Sequence, residues 1–187
     1  WDQVHQEQQP NAKTPIQNLI LKTQASYQGK NYQAAADFIG QAIKTAQQQQ
    51  IKIEENWYVL QRAVHFELKQ PEKVTQILEI MVKEFGKAEY WIQLAGMYGE
   101  IGAEDKQLAV MEAAYQQGFV SKASDISNLA QIYYFNQLPY KAAQVMQKAL
   151  ETQTIVKNSK NLRFLAQAWV GAKEFERAIE AYKALSD

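Results

Sequence analysis

The side chains that carry most protein chemistry are scarce in this sequence. It has no cysteine and only two histidines, His5 and His65, and neither histidine has a partner at the spacing of metal ligands. The sequence also lacks a phosphate-binding loop, a nucleophile elbow and a dinucleotide-binding fingerprint. We therefore predict no metal site, no cofactor and no enzymatic activity.

Neighbouring acidic residues are the one arrangement that could act as a paired general acid and base. They occur at Glu54-Glu55, at Glu104-Asp105 and between Glu174 and Glu176. Each group lies near an expected helix start or turn, and a carboxylate at a helix start is stabilised by the positive end of the helix dipole. We interpret these residues as part of the helix starts rather than as catalytic groups.

The charge of the chain excludes several classes of partner. Its 187 residues include 20 basic and 20 acidic side chains, so the formal net charge is zero. A nucleic-acid-binding protein needs a basic excess to neutralise phosphates, and so does a protein that binds an anionic membrane surface. No apolar run reaches the roughly 18 residues that a membrane-spanning helix requires. We predict neither a nucleic-acid partner nor membrane insertion.

The elements that position these residues are predicted to be helices. Apolar residues recur at steps of three and four, and the alternation typical of strands is nearly absent. Breaks rich in Gly, Pro or Asn lie near residues 29–31, 69–71, 99–105, 136–139 and 171–174. This pattern predicts ten antiparallel helices in five pairs.

Two polar stretches lie outside this pattern. Residues 1–15 include Pro10 and Pro15 and are predicted to form an N-terminal arm. The run Gln47–Gln50 follows an apolar helical pattern, and Gln is a good helix former. We expect this run to extend the preceding helix.

A repeat of 34 to 36 residues determines the predicted fold. Each copy begins with a large apolar residue, and the copies begin at Trp57, Trp91, Ile126 and Leu162. In the second copy Leu94, Ala95 and Tyr98 follow Trp91 at helical spacing, which places the large residues on one face of a helix. We therefore expect Trp91 to be largely buried between helices.

These residues resemble the tetratricopeptide repeat (TPR), in which Trp, Leu, a small residue and Tyr on a first helix precede an Ala-rich second helix. The second helices of the chain show the pattern at Ala142, Met146 and Ala149 and again at Ala178 and Tyr182. The resemblance implies an all-α fold, a right-handed α-solenoid of about five TPR-like pairs over residues 16–187. The pairs are expected near residues 16–53, 54–87, 88–122, 123–158 and 159–187.

In TPR proteins the first helices line a concave face that holds partner segments. The helical register puts on this face Tyr27, Tyr58, Arg62, Gln131, Tyr134, Arg163 and Gln167. Tyr and Arg are common interface anchors, so we predict that these seven residues bind another protein or a peptide segment. The alternative is that the rings pack between neighbouring first helices. This alternative weighs more for Phe66 and Phe135 than for Tyr58 and Tyr134.

Four stretches carry a closer resemblance, namely Asn56–Tyr58, Tyr90–Tyr98, Leu138–Ala143 and Asn158–Arg163. They are similar to exported TPR proteins of Gram-negative bacteria that are encoded beside TonB, ExbB and ExbD. The resemblance implies a periplasmic protein that works with a TonB-type uptake system, with TonB or ExbD periplasmic regions as partners. It also implies a signal peptide before Trp1. The last pair leaves an apolar face uncovered, so we expect the natural chain to continue past Asp187.

Two other functions fit the same residues. The chain could be a general assembly adaptor for envelope proteins, or the regulatory TPR domain of a larger enzyme or sensor. In all three functions, this chain acts as a non-catalytic interaction scaffold.

Overall fold

The computed structural model describes residues 14–185 and folds them into ten α-helices, with no strand in that range. The helices are α1 (Pro15–Gln28), α2 (Tyr32–Gln48), α3 (Glu55–Glu67), α4 (Pro71–Phe85), α5 (Ala88–Glu100), α6 (Glu104–Gln116), α7 (Ala123–Phe135), α8 (Pro139–Glu151), α9 (Ser159–Gly171) and α10 (Phe175–Lys183). Most of the predicted arm, and His5 with it, lies outside the described residues. The last residue of that arm, Pro15, is already helical.

Local sequence explains where several helices begin. Thr14 and Gln17 form a capping box at the start of α1, where Pro15 occupies the first turn. Asn31 caps α2 by accepting a hydrogen bond from the Ala34 backbone N–H at 3.2 Å. Glu104 and Asp105 lie in the first turn of α6, which agrees with their interpretation as helix-start residues.

Within each of the five pairs, a turn of the same conformation joins the first helix to the second. Its middle residue adopts a left-handed conformation, with φ between 57° and 72°. The N–H of the residue after it donates to a carbonyl five positions earlier, as Glu174 does to Trp169 at 2.9 Å. This bond is typical of a Schellman motif, which satisfies the last carbonyls of a helix. The left-handed residues are Lys30, Lys69, Gly102, Gln137 and Lys173.

Four of these five residues are not glycine, although a side chain makes the left-handed conformation unfavourable. We expect Gln137→Gly and Lys173→Gly each to raise the free energy of unfolding by about 0.5–1 kcal/mol. Urea denaturation followed by circular dichroism measures the effect. Gly102→Ala is the matched control and should lower the free energy by a similar amount. A loss of stability in both glycine variants would contradict the assigned turn.

The described helices form two compact units that divide within α4, between Met81 and Val82. In the first unit α2 packs against α1 and α3. Its buried residues include Ile39, Ala42 and Val64. In the second unit α5 pairs with α6, α7 with α8 and α9 with α10, while α6 contacts α7 and α8 contacts α9. The core of this unit is the larger one and runs through all three pairs.

The repeat correctly predicts most of this core, because Leu94, Ala95 and Tyr98 and their counterparts in α7 and α9 are all buried. Trp91 lies at the edge of this core. It is partly buried there, and its indole packs against Phe119 in the segment after α6, with ring centroids 6.3 Å apart. Its Nε1 is buried and finds no hydrogen-bond partner within residues 14–185. The preceding residue, Tyr90, is the buried aromatic at the start of α5.

Candidate functional site

In the first unit, the structure covers most of the residues predicted to bind a partner. Tyr58 is 7% exposed, which makes it a core residue rather than the accessible anchor that the register predicts. The reason is that α3 packs against both α1 and α2, so Trp57 and Tyr58, which point in different directions, are both enclosed. Tyr27 is partly buried against Tyr32, with ring centroids 5.5 Å apart, and Arg62 is partly buried as well.

His65, the one histidine in the described range, also has a structural role. It is buried, and its Nδ1 lies 2.7 Å from Oε1 of Gln70. Because an amide oxygen only accepts hydrogen bonds, Nδ1 carries the proton in this contact. The bond links the last turn of α3 to the residue that precedes α4. Residues 14–185 hold no cluster of three or more His, Asp or Glu side chains suited to a metal ion.

In the second unit, the predicted residues are exposed. Gln131 and Tyr134 lie on one side of α7, and Phe135 at the end of the helix extends this side. Leu129, Ala130 and Tyr133 on the other side of α7 are buried. This division is the one that an amphipathic helix requires.

The exposed side of α9 has the same design. Arg163, Gln167 and Val170 follow one another at steps of four and three, and all three are exposed. Leu162, Leu165 and Trp169 form the buried side. Arg163 and Gln167 were both predicted to face a partner, whereas Val170 was not.

Ring contacts join the two helices into one surface. The Tyr134 ring in α7 lies 5.8 Å from the Phe164 ring in α9 and 6.5 Å from that of Phe135, measured between centroids. We name this surface the α7–α9 face and define it by Gln131, Tyr134, Phe135, Arg163, Phe164, Gln167 and Val170. It combines three aromatic rings, a valine, two amides and one guanidinium group, and it contains no acidic side chain.

A glycine permits the close approach of these helices. A Cβ atom on Gly171, at the end of α9, would lie 3.1 Å from Cβ of Pro139 and 3.7 Å from Cε2 of Tyr134. The first distance is shorter than nearly all real contacts of this kind, and the proline ring has little freedom to move away. Gly171 therefore lets the end of α9 lie against the start of α8 and the Tyr134 ring.

Phe66 and Phe135 are a second correction. Both were expected to pack between neighbouring first helices more readily than the tyrosines, yet they are 58% and 78% exposed. Each lies in the last turn of its helix, where the chain turns away and no neighbouring helix covers the ring. Phe135 is thus the most accessible apolar side chain of the α7–α9 face.

A partly exposed polar contact links α7 to α6 and α8. The Tyr133 hydroxyl donates to Oε1 of Glu112 in α6 at 3.1 Å, and Nζ of Lys141 in α8 donates to the same oxygen at 2.5 Å. The hydrogen bond from Lys141 lowers the pKa of the Glu112 carboxyl, whereas burial and the bond to Glu112 raise the pKa of Tyr133. Both groups therefore keep, at neutral pH, the protonation states that the contact needs. The contact thus joins three helices of the second unit.

An open groove of the first unit lies apart from the predicted residues. Its volume is about 690 Å³, and it runs between the start of α1 and the segment before α3. Ile20, Leu21, Ile51 and Trp57 supply its apolar lining. None of the seven predicted binding residues lines it.

Comparison with known proteins identifies the fold. No protein-family model matches the chain, and no curated protein is similar to it at a significant level. Solved structures of MamA match with TM-scores of 0.66 and 0.64 at 12% identity, over 90% of this chain and 88% of the MamA chain. A candidate kinesin light chain of Podosopora anserina with nearly identical TPR-like repeats matches with a TM-score of 0.52 at 14% identity, over 90% of this chain and 92% of the other.

The chain has a TPR fold. The predicted fold class, an all-α solenoid of TPR-like pairs, is confirmed by these structures and by the ten helices of the described range. At 12–14% identity the likeness concerns the fold alone. TPR pairs support one another by stacking, so their side chains at the surface are available for recognition. The described helices include none long and apolar enough to cross a membrane.

Proposed function

We propose that this TPR protein is a non-catalytic scaffold and that it holds a segment of another protein on the α7–α9 face. The observation that supports this proposal is the pair of exposed rings of Tyr134 and Phe135, which adjoin the partly buried Phe164 ring on the face that also carries exposed Arg163. Exposed rings that lie together beside a guanidinium group are the composition of an interface hot spot. Contact between these apolar rings and water is unfavourable in free energy, and a bound partner would remove that contact.

The face favours a partner with an apolar segment next to an acceptor-rich one. Tyr134, Phe135 and Val170 lie toward the ends of α7 and α9, and Gln131 and Gln167 lie about one turn before them. Arg163 lies in the first half of α9. An extended or helical segment can place apolar side chains on the rings while Arg163 and Gln167 donate to its carbonyl or carboxylate oxygens. Because the chain has no net charge, we expect salt to weaken this binding only slightly.

We further propose that the protein works in the periplasm and that its partner belongs to a TonB-type uptake system. The support is the resemblance of stretches such as Tyr90–Tyr98 and Leu138–Ala143 to exported TPR proteins encoded beside TonB, ExbB and ExbD. The periplasmic regions of TonB and ExbD are therefore the first candidate partners. Fractionation of cells that express the natural gene product tests the location, and its recovery from the cytoplasm would contradict it.

Titration calorimetry of the chain against the periplasmic regions of TonB and ExbD tests the proposed partner. We expect one of them to bind, and a Tyr134→Ala, Phe135→Ala, Arg163→Ala triple variant to lose about tenfold or more in affinity. Tyr58 is left intact because it belongs to the core. Val156→Ala is the control, because it truncates an exposed apolar residue outside the face and should leave affinity unchanged.

Two results would contradict different parts of the proposal. If the wild-type chain binds neither region, the TonB assignment is wrong. The scaffold is then tested separately, by comparing proteins that wild type and triple variant retain from an envelope extract. If the folded triple variant binds every partner as strongly as wild type does, the α7–α9 face is not the binding site.

A further inference from the structure

A glycine lies in the middle of α5, at a position where the fold does not require one. Gly96 is exposed, and a Cβ atom on it would meet no atom of a neighbouring element within 4 Å. Gly99, nearly one turn later, differs from it, because a Cβ atom there would collide with the side chain of Gln107 in α6. A glycine inside a helix lowers the stability of that helix relative to alanine. Neither packing nor helix stability therefore accounts for Gly96.

The repeat places Gly96 in one row with two exposed amides. Five positions after the large apolar residue that opens each copy of the repeat, α5 carries Gly96, α7 carries Gln131 and α9 carries Gln167. Both glutamines are exposed members of the α7–α9 face, and neither amide forms a hydrogen bond within the described range. We name these three residues the central row. At one end of the central row the backbone of α5 is bare, and the other two members offer hydrogen-bonding groups.

The charged side chains of these three helices change sign from one end of the central row to the other. The charged residues of α5 are Glu89 and Glu100, and those of α9 are Lys160 and Arg163. All four are exposed, and none of them forms an ion pair within the described range. The one charged residue of α7, Asp125, is partly buried. The central row therefore leads from an acidic helix to a basic one.

We propose that the partner segment is extended, that it continues from the α7–α9 face onto α5 along the central row, and that it carries an acidic residue at α9 and a basic residue at α5. This inference rests on the proposed function, since it describes the segment that the α7–α9 face binds. The Gln131 and Gln167 amides can donate to and accept from the peptide groups of an extended chain. At Gly96 that chain can lie directly against α5, because no side chain stands between them.

The spacing of the helices sets the distance between the two charged residues of the segment. Packed helices lie about 8–10 Å apart, so α5 and α9, which α7 separates, are roughly 16–20 Å apart. An extended chain advances about 3.3 Å per residue. The acidic and basic residues should therefore be about five or six positions apart, with apolar side chains between them for Tyr134 and Phe135. Such charge pairs fix the direction of the segment more than its affinity.

Selection of peptides from a randomised phage-displayed library on the immobilised wild-type chain tests the chemistry of the segment. We expect the enriched peptides to carry an acidic and a basic residue five or six positions apart, with apolar residues between them. Enriched peptides without this spacing would overturn the proposal. A selection that enriches no peptide would overturn it together with the proposed function.

Gly96→Gln tests the passage of the segment over α5. The variant gives α5 the residue that α7 and α9 carry in the central row, and glutamine is a better helix former than glycine. We expect the urea midpoint of unfolding to rise, while the affinity for a synthetic copy of an enriched peptide falls about tenfold or more. Gly40→Gln is the matched control, because a Cβ atom on Gly40 in α2 also has no neighbour within 4 Å. It should leave the affinity unchanged.

The same peptide separates a failure of this inference from a failure of the proposed function. If it binds the folded Tyr134→Ala, Phe135→Ala, Arg163→Ala triple variant as strongly as wild type, the α7–α9 face does not hold the segment and the proposed function is wrong. If it loses affinity for the triple variant but binds Gly96→Gln as strongly as wild type, the face is correct and the extension onto α5 is wrong.

Discussion

Replacing Trp169 with Ala is expected to lower the free energy of unfolding of the second unit by about 3–5 kcal/mol, the usual cost of truncating a large aromatic side chain in a core. Trp169 is almost fully buried in α9. Its ring meets the Tyr140 ring of α8 edge to face at 5.5 Å, and the Arg177 guanidinium of α10 lies 4.7 Å from its centroid. The substitution therefore removes contacts to two neighbouring helices along with the buried indole.

Chemical denaturation followed by far-UV circular dichroism measures this loss, and Trp91→Ala is the matched control. Both variants make the same chemical change in the same unit, but Trp91 is only partly buried. Its Nε1 is also buried without a hydrogen-bond partner in the described range, so truncation removes an unfavourable group. We expect a clearly smaller loss for Trp91→Ala. Equal losses would show that the indole of Trp91 contributes as much to the core as that of Trp169.

Ala130→Leu is expected to lower the free energy of unfolding by about 3 kcal/mol, at the upper end of the range for an overpacked core. Ala130 is fully buried in α7, beside Leu129 and Tyr133. It occupies the small position of the repeat, where TPR helices approach each other most closely. The three extra carbons of leucine have no free volume to enter, so α7 must shift or a neighbouring side chain must leave its preferred rotamer.

The same measurement on Ala25→Leu provides the control, since Ala25 is exposed within α1. Leucine is nearly as good a helix former as alanine, so this variant should differ from wild type by less than about 0.5 kcal/mol. If Ala130→Leu is equally well tolerated, the small position does not set the distance between the helices. The assigned register of α7 would then need revision.

The helices and most of the core follow from the sequence because both depend on local information. Steps of three and four place Leu94, Leu129 and Leu165 on the buried side of their helices whatever surrounds them. The small residues Ala95 and Ala130 are equally informative. A surface helix gains nothing from an alanine at one fixed position, but a close contact between helices requires one.

The burial of particular rings could not be predicted, because it depends on which neighbouring element reaches them. Tyr58 and Tyr134 were both expected to be accessible, yet α3 is enclosed by two helices and the end of α7 is not. Phe135, which is 78% exposed, shows the same limit. A helical register tells which direction a side chain points, but not where the next helix ends. Phe164 was missed for a related reason, since it joins the surface only through its contact with the Tyr134 ring of α7. Val170 was missed as well.

The turn shared by the five helix pairs has a consequence for how a chain of this kind changes in length. Each turn satisfies the last carbonyls of its first helix with N–H groups from the same pair, as Leu138 does for Tyr133. No pair therefore depends on another pair to complete this part of its backbone hydrogen bonding, and neighbouring pairs meet mainly through side chains. A gene duplication or deletion of one whole pair would leave every remaining turn intact and would change only one side-chain interface. An insertion shorter than one pair would shift the positions of the buried side chains relative to the neighbouring pair. Variation in length is therefore expected to occur in steps of one pair.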